Sequence, residues 1–253
     1  MGINQFTDLT LEEYASKYLN LIVSNQKYHN FPSESIEINT LPASVDWRTQ
    51  GAVTPVSNEG NSCGACWAFT TAETVESAWY IAGHTLIPLS VQQLIDCSNE
   101  NFGCNGGYMD LAFEYIISNG LTSAANYPYV GHDQKCNTAS AKNVVAKISA
   151  YQDVKPNSLN SLMAAVAQQP VSVAVNALTW STYSGGVLSS NCDSSSLNFA
   201  AVIVGYNTNA NPKYWIVKNI WGTTWGNSGY IYIAMNDGPG VCGINEMPSY
   251  PVV

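Results

Sequence analysis

The stretch NSCGACWAF, residues 61–69, decides how the rest of the chain is read. Its Cys66 opens the segment CWAFTTAETVESAWYIAG (66–83), whose apolar residues recur at helical spacing and which stops at Gly83. A cysteine at the head of a helix meets unpaired backbone amides and the positive end of the helix dipole. Both favour the thiolate, the form that attacks carbonyl carbon. A lone cysteine in that place is ordinarily a buried structural thiol, but the residues packed around Cys66 turn the reading toward a nucleophile.

Working outward, the chain has 253 residues, 46% hydrophobic and only 11% charged, so it can bury a sizeable core as one large domain or two lobes. A formal net charge of −9 argues against nucleic acid or an anionic membrane surface as partner. No apolar run approaches the ~18–20 residues of a membrane-spanning helix, so membrane insertion is not expected. Seven cysteines are an odd number, which suggests three pairs plus one free thiol and an oxidising, lysosome-like or secretory compartment. The N-terminus MGINQFTDLTLEEY has neither the basic nor the apolar region of a signal peptide, and Phe6 breaks the myristoylation pattern. That feature alone points to the cytosol. No metal-ligand or cofactor motif is expected.

Before position 40 there is one short helical pattern, LTLEEYASKYLNLI, with Thr10 and Glu13 spaced as a capping box. NFPSESIEINTLP (30–42) reads as an extended connector. The first half of the body is helical: SVQQLIDC (90–97) opens with Ser90 and Gln93 as a second capping box, and YMDLAFEYIISNG (108–120) ends at Gly120. The second half reads as strands VSVAV, AAVIVGY, YWIVKNIW and GYIYIAM, interrupted by the helix NSLNSLMAAVAQQ. A helical lobe facing a β lobe would leave a cleft between them, the usual place for a site.

NSCGACWAF contains the C-G-[SA]-C-[WY] pattern of papain and the cathepsins. The resemblance extends to LPASVDWRTQGAVTPV, DCSNENFGCNGGYMDLAFEYI, YWIVKNIWGTTWGNSGYIYIAMN and GVCGINEMPSYPVV, in that order. The chain thus resembles a papain-family, cathepsin L-like cysteine protease over nearly its whole length. The resemblance implies an α+β fold of two lobes, helical over about 41–125 and β-barrel-like over about 126–245, within a peptidase domain at 41–253. Residues 1–40 resemble only the last part of the family's inhibitory prosegment and read as a truncated remnant plus connector. It also implies the pairs Cys63–Cys104, Cys97–Cys136 and Cys192–Cys242, leaving Cys66 free as nucleophile. Asn219 matches the residue that orients the catalytic base, shielded by Trp221. Gly106 and Gly107 match the backbone that pairs with an extended substrate, and Tyr108, Met109, Ala174, Ala200 and Met247 match the walls of the main side-chain pocket. Such small, Met-containing walls suit an apolar side chain.

Two positions depart from the pattern. The base should be a histidine in Leu-Asn-His-Ala, but the chain has Leu197, Asn198, Phe199 and Ala200, with Phe199 133 positions after Cys66. That is inside the roughly 130–150 residues this signature allows, and a phenyl ring can neither take nor give a proton. His29, His84 and His132, the three histidines present, all read as loop residues. The family's oxyanion Gln is replaced by Glu59, followed by one extra residue before Cys63. Either a carboxylate there repels the oxyanion, or the insertion carries Glu59 out of the site. Losing one such donor costs about 2.7–4 kcal/mol.

These departures lead to the expectation of a catalytically inactive homologue, a pseudoprotease with a binding or structural role. In that reading the cleft holds a peptide or protein segment, its own N-terminal segment being one candidate. The alternatives are a weakly active cysteine-type endopeptidase working through Cys66, and a structural subunit of a larger protein assembly.

Overall fold

The computed structural model describes residues 4–22 and 41–253. Most of the expected connector and His29 lie outside the described residues. The helices are α1 (Leu11–Tyr18), α2 (Cys66–Ile81), α3 (Val91–Cys97), α4 (Met109–Asn119), α5 (Thr138–Ala141) and α6 (Leu159–Gln168). The strands are β1 (Ser44–Asp46), β2 (Ala150–Asp153), β3 (Val171–Val175), β4 (Val187–Leu188), β5 (Phe199–Asn207), β6 (Tyr214–Lys218), β7 (Tyr230–Ala234) and β8 (Pro248–Val252).

Local chemistry sets the helix ends. The Thr10–Glu13 box closes in both directions at α1. At α3 only half of the expected box forms: Ser90 Oγ accepts from the Gln93 amide, but Gln93 turns its side chain inward. There Nε2 donates to Gly120 O at 3.0 Å and Oε1 accepts from the Thr122 amide at 2.8 Å. Buried loop backbone needs those partners more than an N-cap amide does.

The sheet runs β2-β8-β3-β5-β6-β7-β4, with β1 added to the far end of β5. It is open, which corrects the barrel-like expectation. β2 pairs with β8 and the two-residue β4 with β7, so the two edges never meet. β5 is the spine, pairing Val175 with Phe199 at one end and Ser44 with Asn207 at the other. Gly205 is needed there, because a Cβ would collide with Val45 O of β1.

α2 lies between α3 and α4 on one side and β3, β5 and β8 on the other, so it is buried almost all round. Burying every face of a helix also buries its polar residues, which must then be partnered. Lys218 Nζ at the end of β6 meets Glu73 Oε1 at 3.0 Å and Thr54 Oγ1 at 3.2 Å. Glu76 accepts from Thr54 Oγ1 at 2.6 Å and from the Leu89 amide at 2.7 Å. This network ties α2 to β6. Lys218→Met strands two buried carboxyls, and we expect it to cost about 3–5 kcal/mol, read as a lowered urea midpoint.

Candidate active site around Cys66

Cys66 is the first residue of α2, and Ala65 before it supplies no side-chain cap, so the first amides of the helix stay available. In the structure Cys63 joins Cys104, Cys97 joins Cys136 and Cys192 joins Cys242, while Cys66 is free. The thiol is 1% exposed. Burial is the main influence and pushes its pKa up; Glu59 adds to the rise, and the amides of Ala200 and Trp67 pull it down only partly. The helix start alone therefore does not hold a thiolate here, contrary to what its position suggested.

Part of that burial comes from the N-terminal segment. The space over Gly64 is filled by the Asn20 side chain, and the space over Gly106 by Asn20 O and Ile22. The Leu21 amide donates to Asn198 O at 3.0 Å. Residues 20–22 thus lie in backbone contact across the cleft. They are anchored upstream, where Phe6, Tyr14 and Tyr18 surround the Trp221 ring with centroids 4.9, 5.8 and 6.1 Å away. Tyr14 Oη donates to Ala177 O at 2.7 Å and Gln5 Nε2 to Trp221 O at 3.1 Å. The sequence reading missed this aromatic trio. Its signal was present in Tyr14 and Tyr18, four apart on one face of an otherwise polar helix.

Glu59 stays in the site. Its amide donates to Ile220 O at 2.9 Å, its carbonyl accepts from Tyr129 Oη at 2.7 Å, and Oε1 accepts from Trp221 Nε1 at 3.0 Å. The extra residue bulges outward instead, at exposed Asn61 and Ser62 after Gly60 at φ +76. Of the two alternatives left open by the sequence, displacement is thus excluded. Glu59 is 2% exposed, and burial raises its pKa well above the usual carboxylate range.

Asn219 is fully buried. Its Oδ1 accepts from the Ile220 amide at 2.7 Å, and Nδ2 has no partner among the described residues. Phe199 opens β5, fully buried between Trp221 and Trp180 at 4.9 and 5.9 Å. His84 stacks on Trp79 at 3.8 Å, and His132 Nδ1 sits 3.1 Å from Val130 O of its own loop. Neither is brought to Cys66. Gly107 packs on Trp67, and Tyr108 leads into Met109 at the buried start of α4. Ala174 and Ala200 are cross-strand partners, and Met247 packs half-buried against the same core. Among the described residues no His/Cys/Asp/Glu group could hold a metal, and no helix is long and apolar enough to cross a membrane.

The buried acids give stability a definite pH slope. Besides Glu59, burial lifts Glu76 from 4.5 to about 7 and Asp110 from 3.8 to about 7. Each carboxyl binds its proton more tightly folded than unfolded. The stabilisation is therefore complete below the unfolded values and lost as pH rises through about 7. Thermal melts should show Tm several degrees higher at pH 5 than at pH 8.

The model of papain family cysteine proteases matches residues 41–252. The senescence-specific cysteine protease SAG12 of Arabidopsis thaliana is 43% identical over 100% of this chain and 76% of its own length. A recombinant stem bromelain precursor superposes with a TM-score of 0.92 at 43% identity, covering 100% of this chain and 83% of that one. The bromelain protease from Ananas comosus in complex with the E64 inhibitor gives 0.79 at 44% identity, over 84% of this chain and 100% of that one. Relatives this similar are named as proteases, which overturns the expectation of an inactive binding or structural homologue. A free thiol heading a buried helix, three flanking disulfides and a match running from Leu41 almost to the end converge: the chain belongs to the papain family of cysteine proteases.

Proposed function

We propose that the chain is a cysteine-type endopeptidase that cleaves peptide bonds through Cys66 and is held latent by its N-terminal segment. The observation that carries this reading is the free thiol at the open start of α2 with residues 20–22 lying across it. Residues 1–40 act as the prosegment and 41–253 as the peptidase domain. Substrate lies extended along Gly106 and Gly107, the first of which Asn20 and Ile22 cover in the latent form, and sets an apolar side chain against Tyr108, Met109, Ala174, Ala200 and Met247.

Once the segment leaves, water reaches the thiol and the burial that raised its pKa is relieved. With Phe199 beside the site, the thiol proton goes to solvent. Sγ then attacks the carbonyl carbon, the amine departs with a proton from water, and a second water hydrolyses the thioester. Trp221 covers the site and Asn219 stands ready to orient a polar partner. Three disulfides suit an oxidising compartment, lysosomal, vacuolar or secreted.

The test is hydrolysis of a fluorogenic dipeptide with an apolar residue before the cleaved bond. The full chain is nicked ahead of Leu41 by an added protease that is then inhibited. Turnover that needs both the nick and Cys66 supports the proposal, and a silent nicked chain overturns it.

A further inference from the structure

A cavity of about 540 Å³ lies between the turn that follows β3, at Asn176, Leu178 and Thr179, and the loop from Cys192 to Asn198 that leads into β5. No residue of the described N-terminal segment lines it, yet that segment touches its rim twice. The Leu21 amide donates to Asn198 O at 3.0 Å, and Tyr14 Oη donates to Ala177 O at 2.7 Å, between two lining residues. A chain that crosses the cleft at Asn198 therefore passes beside a cavity that the segment itself does not line.

The chemistry of its walls is one-sided. Asp193 is exposed and is the one charged residue of the lining. Ser195 Oγ donates to its Oδ2 at 2.5 Å and the Ser195 amide to its Oδ1 at 3.1 Å. Those bonds hold its pKa below the usual carboxylate range, so it is anionic at neutral pH. Among the described residues it pairs with no cation; the ion pairs there join Arg48 to Asp46 and Lys218 to Glu73. Burial, and after it the Asp193 charge, raises the Glu246 pKa, so a second carboxyl shares the field. The other walls suit the same kind of guest. Asn198 Oδ1 accepts the Ala177 amide at 2.9 Å and has a second lone pair to offer. Leu178 and the Cys192–Cys242 disulfide supply apolar surface of the sort along which the stem of a long basic side chain lies.

Resting on the proteolytic reading above, we propose that this cavity is a specificity site for one basic side chain of the substrate, selected by Asp193. Arg fits better than Lys, because its planar fork can meet the carboxylate and a neighbouring amide oxygen together. The contact is made by a side chain away from the reacting carbonyl, so it is equally strong before and during the chemical step. It therefore lowers KM and leaves kcat where it was. Asp193 is exposed, which keeps the preference modest and makes it sensitive to salt. The formal net charge of −9 attracts any cationic peptide, so a preference confined to one substrate position is the signature that separates this site from the general field.

The experiment measures kcat and KM of the nicked full chain and its Asp193→Asn and Asp193→Lys variants on internally quenched peptides. All carry the same apolar residue before the cleaved bond. A single Arg is moved through the other positions, and a matched peptide carries Gln, or Glu, in its place. The parent should favour Arg over Gln by about two- to fivefold at one position, through KM, and less so at high salt. Asp193→Asn keeps an acceptor for the Ser195 amide and should bring that ratio to about one. Asp193→Lys should reverse it in favour of Glu at the same position, a change of sign that a misfolded loop cannot produce. Ratios in Asp193→Asn that match the parent's at every position overturn the inference, as does an Arg preference spread evenly over all positions. A nicked parent silent on every peptide removes the proteolytic reading and this site with it, whereas the first two outcomes leave that reading standing.

Discussion

Cys66→Ala ends peptide hydrolysis, a loss of about 10⁴-fold or more that leaves only what binding and oxyanion contacts achieve without a nucleophile. The size follows from chemistry rather than stability. Ala fits the volume at a helix start where the thiol is 1% exposed, and it removes neither a cap nor a disulfide. The variant should therefore melt with the parent while its turnover disappears. The comparison is made on nicked chains, because in the intact chain Asn20 and Ile22 fill the approach over Gly64 and Gly106. A parent and variant with equal residual rates would place the hydrolysis in a contaminant or at another group, and the assignment of Cys66 would fall.

How much of this could be read from sequence divides along a physical line. Short-range signals were legible. The Thr10–Glu13 box, the α2 run from Cys66 and the strands of the second half are set by spacing a few residues long. The closure of the sheet was not, because it depends on whether β2 and β4 find partners, and strand pairing is decided by contacts far apart in sequence. The half-formed box at Ser90 failed for a related reason: the demand of buried Gly120 and Thr122 for partners is invisible in a four-residue window.

Glu59 is the most instructive case. As a letter in a sequence it is a negative charge, and a negative charge beside an oxyanion is fatal. In the fold it is buried, no cation is among the groups that shift it, and burial raises its pKa well above the usual carboxylate range. The expectation of an inactive protein leaned on that charge, together with Phe199, and the similar chains named as proteases overturn it. Cys66 teaches the converse, since burial outweighs the helix start that should have ionised it.

Phe199→His raises turnover of the nicked chain by about 10²–10⁴-fold, the usual worth of a positioned general base. β5 and β6 pair Val202 with Lys218, which brings Asn219 alongside the start of β5, and Trp221 packs on the residue at 199 with centroids 4.9 Å apart. An imidazole there finds a polar partner that a phenyl ring cannot use, namely the Asn219 side-chain oxygen, which accepts from the Ile220 amide and can accept the ring N–H as well. That hydrogen bond offsets part of the cost of placing a polar ring in a pocket of tryptophans, so the variant should fold with at most a modest drop in Tm. The pH profile supplies the discriminating readout. With a base inside the site, the thiol no longer relies on solvent, and the rising limb of kcat/KM should move toward the ordinary range of a histidine, about 6.5. A gain in rate with an unmoved rising limb would mean that the introduced imidazole only loosened the aromatic packing, and no gain at all would mean that residue 199 does not face the thiol.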